Sequence, residues 1–139
     1  FPAFTGLDSP METNIDEAGR CNAFFNGNSI NFYAEGNGCQ ATAKIPDVVY
    51  HEYGHAINSW RYGSGMQNGA LNEGFADIWA ATVEHRTKGT GTDTNPNDEI
   101  WLIGDEIDRR SGSIALRSMS NPNSKNQPEV IKAKSDTMQ

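Results

Sequence analysis

His51-Glu52-Tyr53-Gly54-His55 places two imidazoles and a carboxylate around one point. In a helix, residues four apart share a face, so His51 and His55 can grip the same ion. Two neutral imidazoles with a glutamate beside them read as a zinc site with a general base alongside. The chain has three histidines and these are two of them, so little else competes for the role. A chance match on an ordinary surface helix would carry the same five letters, and the pentapeptide alone does not separate the two readings.

A catalytic zinc usually takes three protein ligands and leaves a position for water. Leu71-Asn72-Glu73-Gly74-Phe75-Ala76-Asp77 offers the third in Glu73. It lies far enough beyond His55 for the rest of one helix and a return through a glycine-rich turn. Asp77, one helical turn after Glu73, falls on the same face. From there its carboxylate can accept the outer N–H of a ligand histidine, His51 above all, and fix its tautomer. A lone carboxylate on a helix is usually a solvated charge; two of them following a zinc motif at a workable distance favour function.

Two helices must position these groups. Pro46-Asp47 opens the first, with Asp47 where an N-cap belongs and with Val48, Val49, Tyr53, Ala56, Ile57 and Trp60 as its apolar contacts. Residues 62–69 read as a turn. The second helix is expected over about 70–86, with Leu71, Phe75, Ile78, Trp79 and Val83 at helical spacing as its core face. Upstream, residues 1–20 read as loop, whereas 22–25 and 29–34 read as two short strands. Asn26-Gly27-Asn28 between them suggests a hairpin. Residues 88–97 are a polar loop, 99–107 a short helix or irregular segment, 111–119 ambiguous, and the tail beyond 121 polar and unpatterned.

Composition sets the bounds. With 139 residues, the chain fits one domain with a modest core. Hydrophobic content of 36% and a mean hydropathy of -0.65 are low for a compact enzyme, and 14 glycines point to ordered loops. A net charge of -7 and a pI near 4.8 argue against nucleic acid or an anionic membrane as partner. No apolar run approaches the length that crosses a bilayer. Cys21 and Cys39 bracket the hairpin, so its closure can bring them together; a disulfide there points to an oxidising compartment and a secreted protein. Two unrelated buried thiols are the other reading of the pair. No CxxC spacing makes either a zinc ligand.

Taken together, these segments resemble the gluzincin metallopeptidases of the thermolysin and fungalysin group. Asn22-Ala23-Phe24-Phe25-Asn26-Gly27 is similar to the family's edge strand, and residues 47–56 to its zinc helix. Asn72-Glu73 with Asp77 is similar to its third-ligand helix, and Ala115-Leu116-Arg117-Ser118-Met119-Ser120-Asn121-Pro122 to its substrate-arginine segment. Four motifs in the family's order are far more specific than any one. The resemblance implies an α+β fold: a zincin-like core in which a short edge-strand hairpin precedes the active-site helix and the third-ligand helix. Residues 1–45 would form the strand and loop part, and 46–139 a mainly helical part.

It implies zinc on His51, His55 and Glu73, Glu52 as general base toward a zinc-bound water, and Asp77 orienting His51. Asn22 and Ala23 would hold an extended peptide or protein substrate. Arg117 would bond the carbonyl next to the scissile bond, and Leu116 would line the pocket for the following side chain. Tyr62 is similar to an assisting tyrosine, and Asp47, Glu84 and Asp105 resemble calcium ligands, though Leu102 stands where another acidic ligand is expected.

Departures from the pattern matter too. The family takes a further donor from a histidine beyond the arginine segment, and no histidine follows His85 here. His85 lies about 18 Å along the helix from Glu73 and is expected to face solvent. Much of the family's N-terminal sheet and C-terminal bundle is missing from these residues, so the chain reads as a piece of a longer or nicked catalytic domain. The leading expectation is a secreted zinc endopeptidase. The alternatives are a zinc aminopeptidase, which lacks a convincing glutamate motif for a free amine, and a catalytically silent zinc-binding domain, against which Glu52 argues.

Overall fold

The computed structural model of the chain describes residues 8–63, 69–88, 98–107 and 115–127. A three-stranded sheet comes first, in the order β1-β3-β2: β1 is Glu12–Glu17, β2 Ala23–Phe25 and β3 Ser29–Tyr33. The expected hairpin is β2–β3, antiparallel, with Phe25 opposite Ile30 and Gly27 at φ +101° in its turn. That positive φ suits a residue without Cβ.

β1 departs from the expectation of a loop over residues 1–20, since it pairs parallel with β3. Glu-Thr-Asn-Ile-Asp-Glu has no apolar alternation because the strand is almost wholly exposed; what recruits it is the edge of β3. Asn31 of β3 ties the sheet together: its Oδ1 accepts from Asn14 Nδ2 at 2.9 Å, and its own Nδ2 donates to the Phe24 carbonyl at 3.2 Å. A central strand buried on both faces can hold such a polar residue only with its bonds made. Among the described residues no strand pairs with the other side of β2.

α1 runs Pro46–Tyr62 and α2 Gly69–Lys88. Proline's fixed φ starts α1, so extended Ile45 is the N-cap and Asp47 sits in the first turn, not at the cap as expected. Gly63, at φ +55°, caps the far end, its N–H bonded to the Ser59 carbonyl. Tyr62 is therefore the last residue of a helix instead of part of the turn. Ile30, Phe32, Ile45, Val48 and Ile107 form the main core between the sheet and α1.

α2 presents a different face from the one its large apolar residues suggested. Ala76 and Ala80 are fully buried, whereas Leu71 and Ile78 are exposed. Small side chains let the two helices approach closely, as at Gly54 against Ala76: a Cβ on Gly54 would stand 2.8 Å from the Ala76 Cα.

After α2, residues 98–107 carry a 3₁₀ turn, Asp98–Trp101, and then β4, Leu102–Ile103. β4 pairs antiparallel with β5, Arg117–Ser118, which puts Ile103 opposite Arg117. The expectation of a mainly helical second part thus describes α1 and α2, and not this ribbon. The Gly104 N–H, next to β4, donates to the Asp47 carboxylate and fastens the ribbon to α1. The polar loop expected over 88–97 and the unpatterned tail lie mostly outside the described residues.

Candidate metal centre

α1 delivers His51, Glu52 and His55 to one cavity of about 480 Å³, and α2 delivers Asn72 and Glu73 to the same space. His51 Nε2 lies 3.2 Å from Glu73 Oε2, and His55 Nε2 lies 3.5 Å from Glu73 Oε1. Ligand atoms of these three residues lie within 4.8 Å of one another, the one such grouping of metal-binding side chains among the described residues. Two imidazole nitrogens and a carboxylate are the donor set of a catalytic zinc, so the residues present fit that ion.

Each histidine is held from behind. Asp77 Oδ1 is 2.7 Å from His51 Nδ1, as the helical spacing predicted. Asn72 Oδ1 is 3.2 Å from His55 Nδ1, and Asn58 Nδ2 donates to that same oxygen at 2.7 Å. Sequence reasoning missed this second arrangement, although Asn72 directly precedes Glu73 and Asn58 follows His55 by one turn. It also missed the anchoring of Arg117, whose Nε and Nη2 donate to Asp77 Oδ2 and Oδ1, both at 2.8 Å. Planar guanidinium and carboxylate match in such a fork, which sets the arginine's direction.

Electrostatics follow from this packing. Burial raises the Glu52 carboxyl to about 7, assisted by the nearby Glu73 charge and opposed by His51, Arg117 and the Phe25 N–H. Its Oε2 is buried with no hydrogen-bond partner. For His51, burial alone lowers the pKa, but hydrogen bonds to Asp77 and Glu73 overcome it and raise the value to about 9. Burial holds His55 below its ordinary range. Glu73 is lowered, first by its bond to His51, and Asp77 is lowered by His51 and Arg117 against the opposing effect of burial.

The remaining predicted residues divide in two groups. Asn22 and Ala23 line the cavity along β2, and Leu116 and Arg117 line it from the ribbon. Cys21 and Cys39 are joined in a disulfide just before that strand. Tyr62, in contrast, is 53% exposed and does not line the cavity. His85, expected to face solvent, is half-buried with its Nδ1 enclosed. Burial raises Asp47 to about 6, and the charges of Glu84 and Asp105 add to the rise. These three carboxylates are near enough to interact, yet they do not form the close ligand set that His51, His55 and Glu73 make.

The chain is also similar to known proteins. Residues 62–139 match the family described as thermolysin metallopeptidase, alpha-helical domain. The bacillolysin of Brevibacillus brevis is 38% identical over 117 residues, covering 78% of this chain and 19% of that protein. The thermolysin of Alicyclobacillus acidocaldarius subsp. acidocaldarius is 35% identical over 129 residues, covering 86% and 21% respectively. A solved structure, the precursor of protealysin, a metalloproteinase from Serratia proteamaculans, superimposes with a TM-score of 0.53 at 31% identity, over 70% of this chain and 30% of that one. The chain spans about a fifth of the length of the curated relatives it matches.

Proposed function

This chain belongs to the thermolysin metallopeptidase family, and from that premise we propose that it carries the metal centre of a secreted zinc endopeptidase. The family is zinc-dependent. One observation carries the reading: both imidazole Nε2 atoms converge on the Glu73 carboxylate, while Glu52 lines the same cavity with one oxygen unpartnered. In this reading His51, His55 and Glu73 hold the ion. When bound, zinc supplies positive charge that acidifies water and polarises the scissile carbonyl.

Glu52 takes the water's proton and hands it to the leaving amine. Burial raises this carboxyl in the metal-free chain, and the charge of a bound zinc would draw it back down, so that it meets the water as a carboxylate. Asp77 accepts the His51 Nδ1 proton, so Nε2 is the nitrogen turned to the metal, which would displace the proton that Nε2 shares with Glu73 in the metal-free chain. The same carboxylate aims Arg117 at the cavity, ready to donate to a substrate carbonyl.

An extended peptide adds to the open edge of β2, where Asn22 and Ala23 meet its backbone. Half-exposed Leu116 offers an apolar wall to the side chain after the cleaved bond. Tyr62 takes no part, since it lies away from the cavity. The further donor that tetrahedral negative charge requires is assigned to a part of the protein outside these residues, the matched relatives being several times longer. The disulfide supports an extracellular setting. A calcium ion between Asp47, Glu84 and Asp105 would require these carboxylates to draw closer together than they stand, and it would then relieve their mutual repulsion.

The test is a peptide blocked at its N-terminus, with a hydrophobic residue after the target bond, given to the zinc-loaded full-length protein. Internal cleavage that a chelator abolishes is expected. Cleavage confined to unblocked peptides would instead support an aminopeptidase, and zinc binding without cleavage would support the silent domain.

A further inference from the structure

We propose that Asn58 is a positioning residue that fixes which nitrogen His55 presents to the metal. The inference rests on the metal reading above and adds a residue to it. Asn58 is 1% exposed and lies on α1 one turn beyond His55. Its Nδ2 donates to Asn72 Oδ1 at 2.7 Å and, at 3.4 Å, to the Asn72 backbone carbonyl. Its own Oδ1 is buried and meets no donor among the described residues. An enclosed acceptor with no donor costs its full desolvation, so an apolar residue would serve packing better at this place. What the amide supplies in return is one short bond to the group behind a metal ligand.

The polarity of the relay follows from what each atom can do. A backbone carbonyl only accepts, so the Asn72 carbonyl selects the Nδ2 end of Asn58. Asn72 must then meet that donor with its side-chain oxygen instead of its nitrogen. The same oxygen stands 3.2 Å from His55 Nδ1, so that nitrogen carries the ring proton. Nε2, which faces Glu73, keeps the lone pair that a metal needs. Were the Asn72 amide to turn over, its Nδ2 would face Nδ1 and favour the opposite tautomer, with the proton on the ligating nitrogen.

Two variants of the full-length protein separate this role from simple packing. Asn58→Asp keeps the shape but replaces the donor with acceptors, so Asn72 should turn over. Asn58→Leu removes the donor without reversing the relay. Zinc affinity, measured by chelator competition, is expected to fall at least about 10-fold in the Asp variant and less in the Leu variant. The ¹⁵N shifts of His55 in the metal-free protein should report an Nδ1-protonated ring in the parent and loss of that preference in the Leu variant. The second readout stands even where the Asp variant fails to fold. Affinity within about twofold of the parent together with an unchanged tautomer would overturn the proposal, whatever happened to the melting temperature. A parent that holds the Nδ1-protonated ring, loses it in the Leu variant and yet binds no zinc would strike the metal reading and leave the relay in place.

Discussion

Asp47 and Glu52 are both buried carboxyls of α1, and burial raises both, but their neighbours give them different uses. Glu52 looks into the cavity, whereas Asp47 receives the N–H groups of Val48 and Gly104 and faces Glu84 and Asp105. Its folded pKa of about 6 exceeds the ordinary 3.8, so the folded state holds the proton more tightly than the unfolded chain. The stability it contributes therefore falls as pH rises from about 4 to 6 and stays low above that, by roughly 2–3 kcal/mol. Denaturation of the metal-free protein across that range should show the fall, and Asp47→Asn should flatten it. An unchanged pH slope in the variant would mean that Asp47 is ionised throughout. At this scale the grouping of His51, His55 and Glu73 that could hold a metal was legible, because an imidazole pair at helical spacing is chemically specific. Asn58 and Asn72 were not: an amide's role depends on which of its ends meets which neighbour, and spacing says nothing of that.

The helices α1 and α2 were legible as elements, and their contact was not. Periodicity pointed to Leu71 and Ile78 as the core face of α2, yet both are exposed and Ala76 and Ala80 face α1 instead. The reason lies in the site: two helices that share three ligand side chains need close backbones, and small residues permit this where large apolar ones would not. Gly54, between the two histidines, packs directly against Ala76. Gly54→Ala would gain about 1 kcal/mol in helix propensity. It would also force its Cβ against the Ala76 backbone, and overpacking of that kind costs about 1–3 kcal/mol. A backbone atom cannot swing aside as a side-chain tip can, so the clash should win. Thermal denaturation should show a net loss, and zinc affinity should fall as His51 and His55 draw away from Glu73. A variant that melts with or above the parent would show that the helices have room to spare. The strand β1 stayed hidden for a related reason: its exposed polar residues carry no pattern, and pairing with β3 alone makes it a strand.

At the scale of the whole chain, three separate stretches converge on one cavity. The hairpin supplies an open edge, the helix pair the donors and the base, and the ribbon Arg117 and Leu116. The disulfide ties the start of β2 to the segment leading into α1. The order of the motifs made this assembly legible in advance. The ribbon was not, because two-residue strands leave too little sequence to show a period. If three side chains hold zinc and Glu52 performs the proton transfers, removing the Glu52 carboxylate should separate the two roles. The experiment compares the full-length protein with Glu52→Ala for bound zinc, by metal analysis, and for hydrolysis of a blocked peptide. Equal zinc in both and a rate at least about 100-fold lower in the variant are expected. Hydrolysis that continues unchanged with zinc still bound would contradict that role for Glu52.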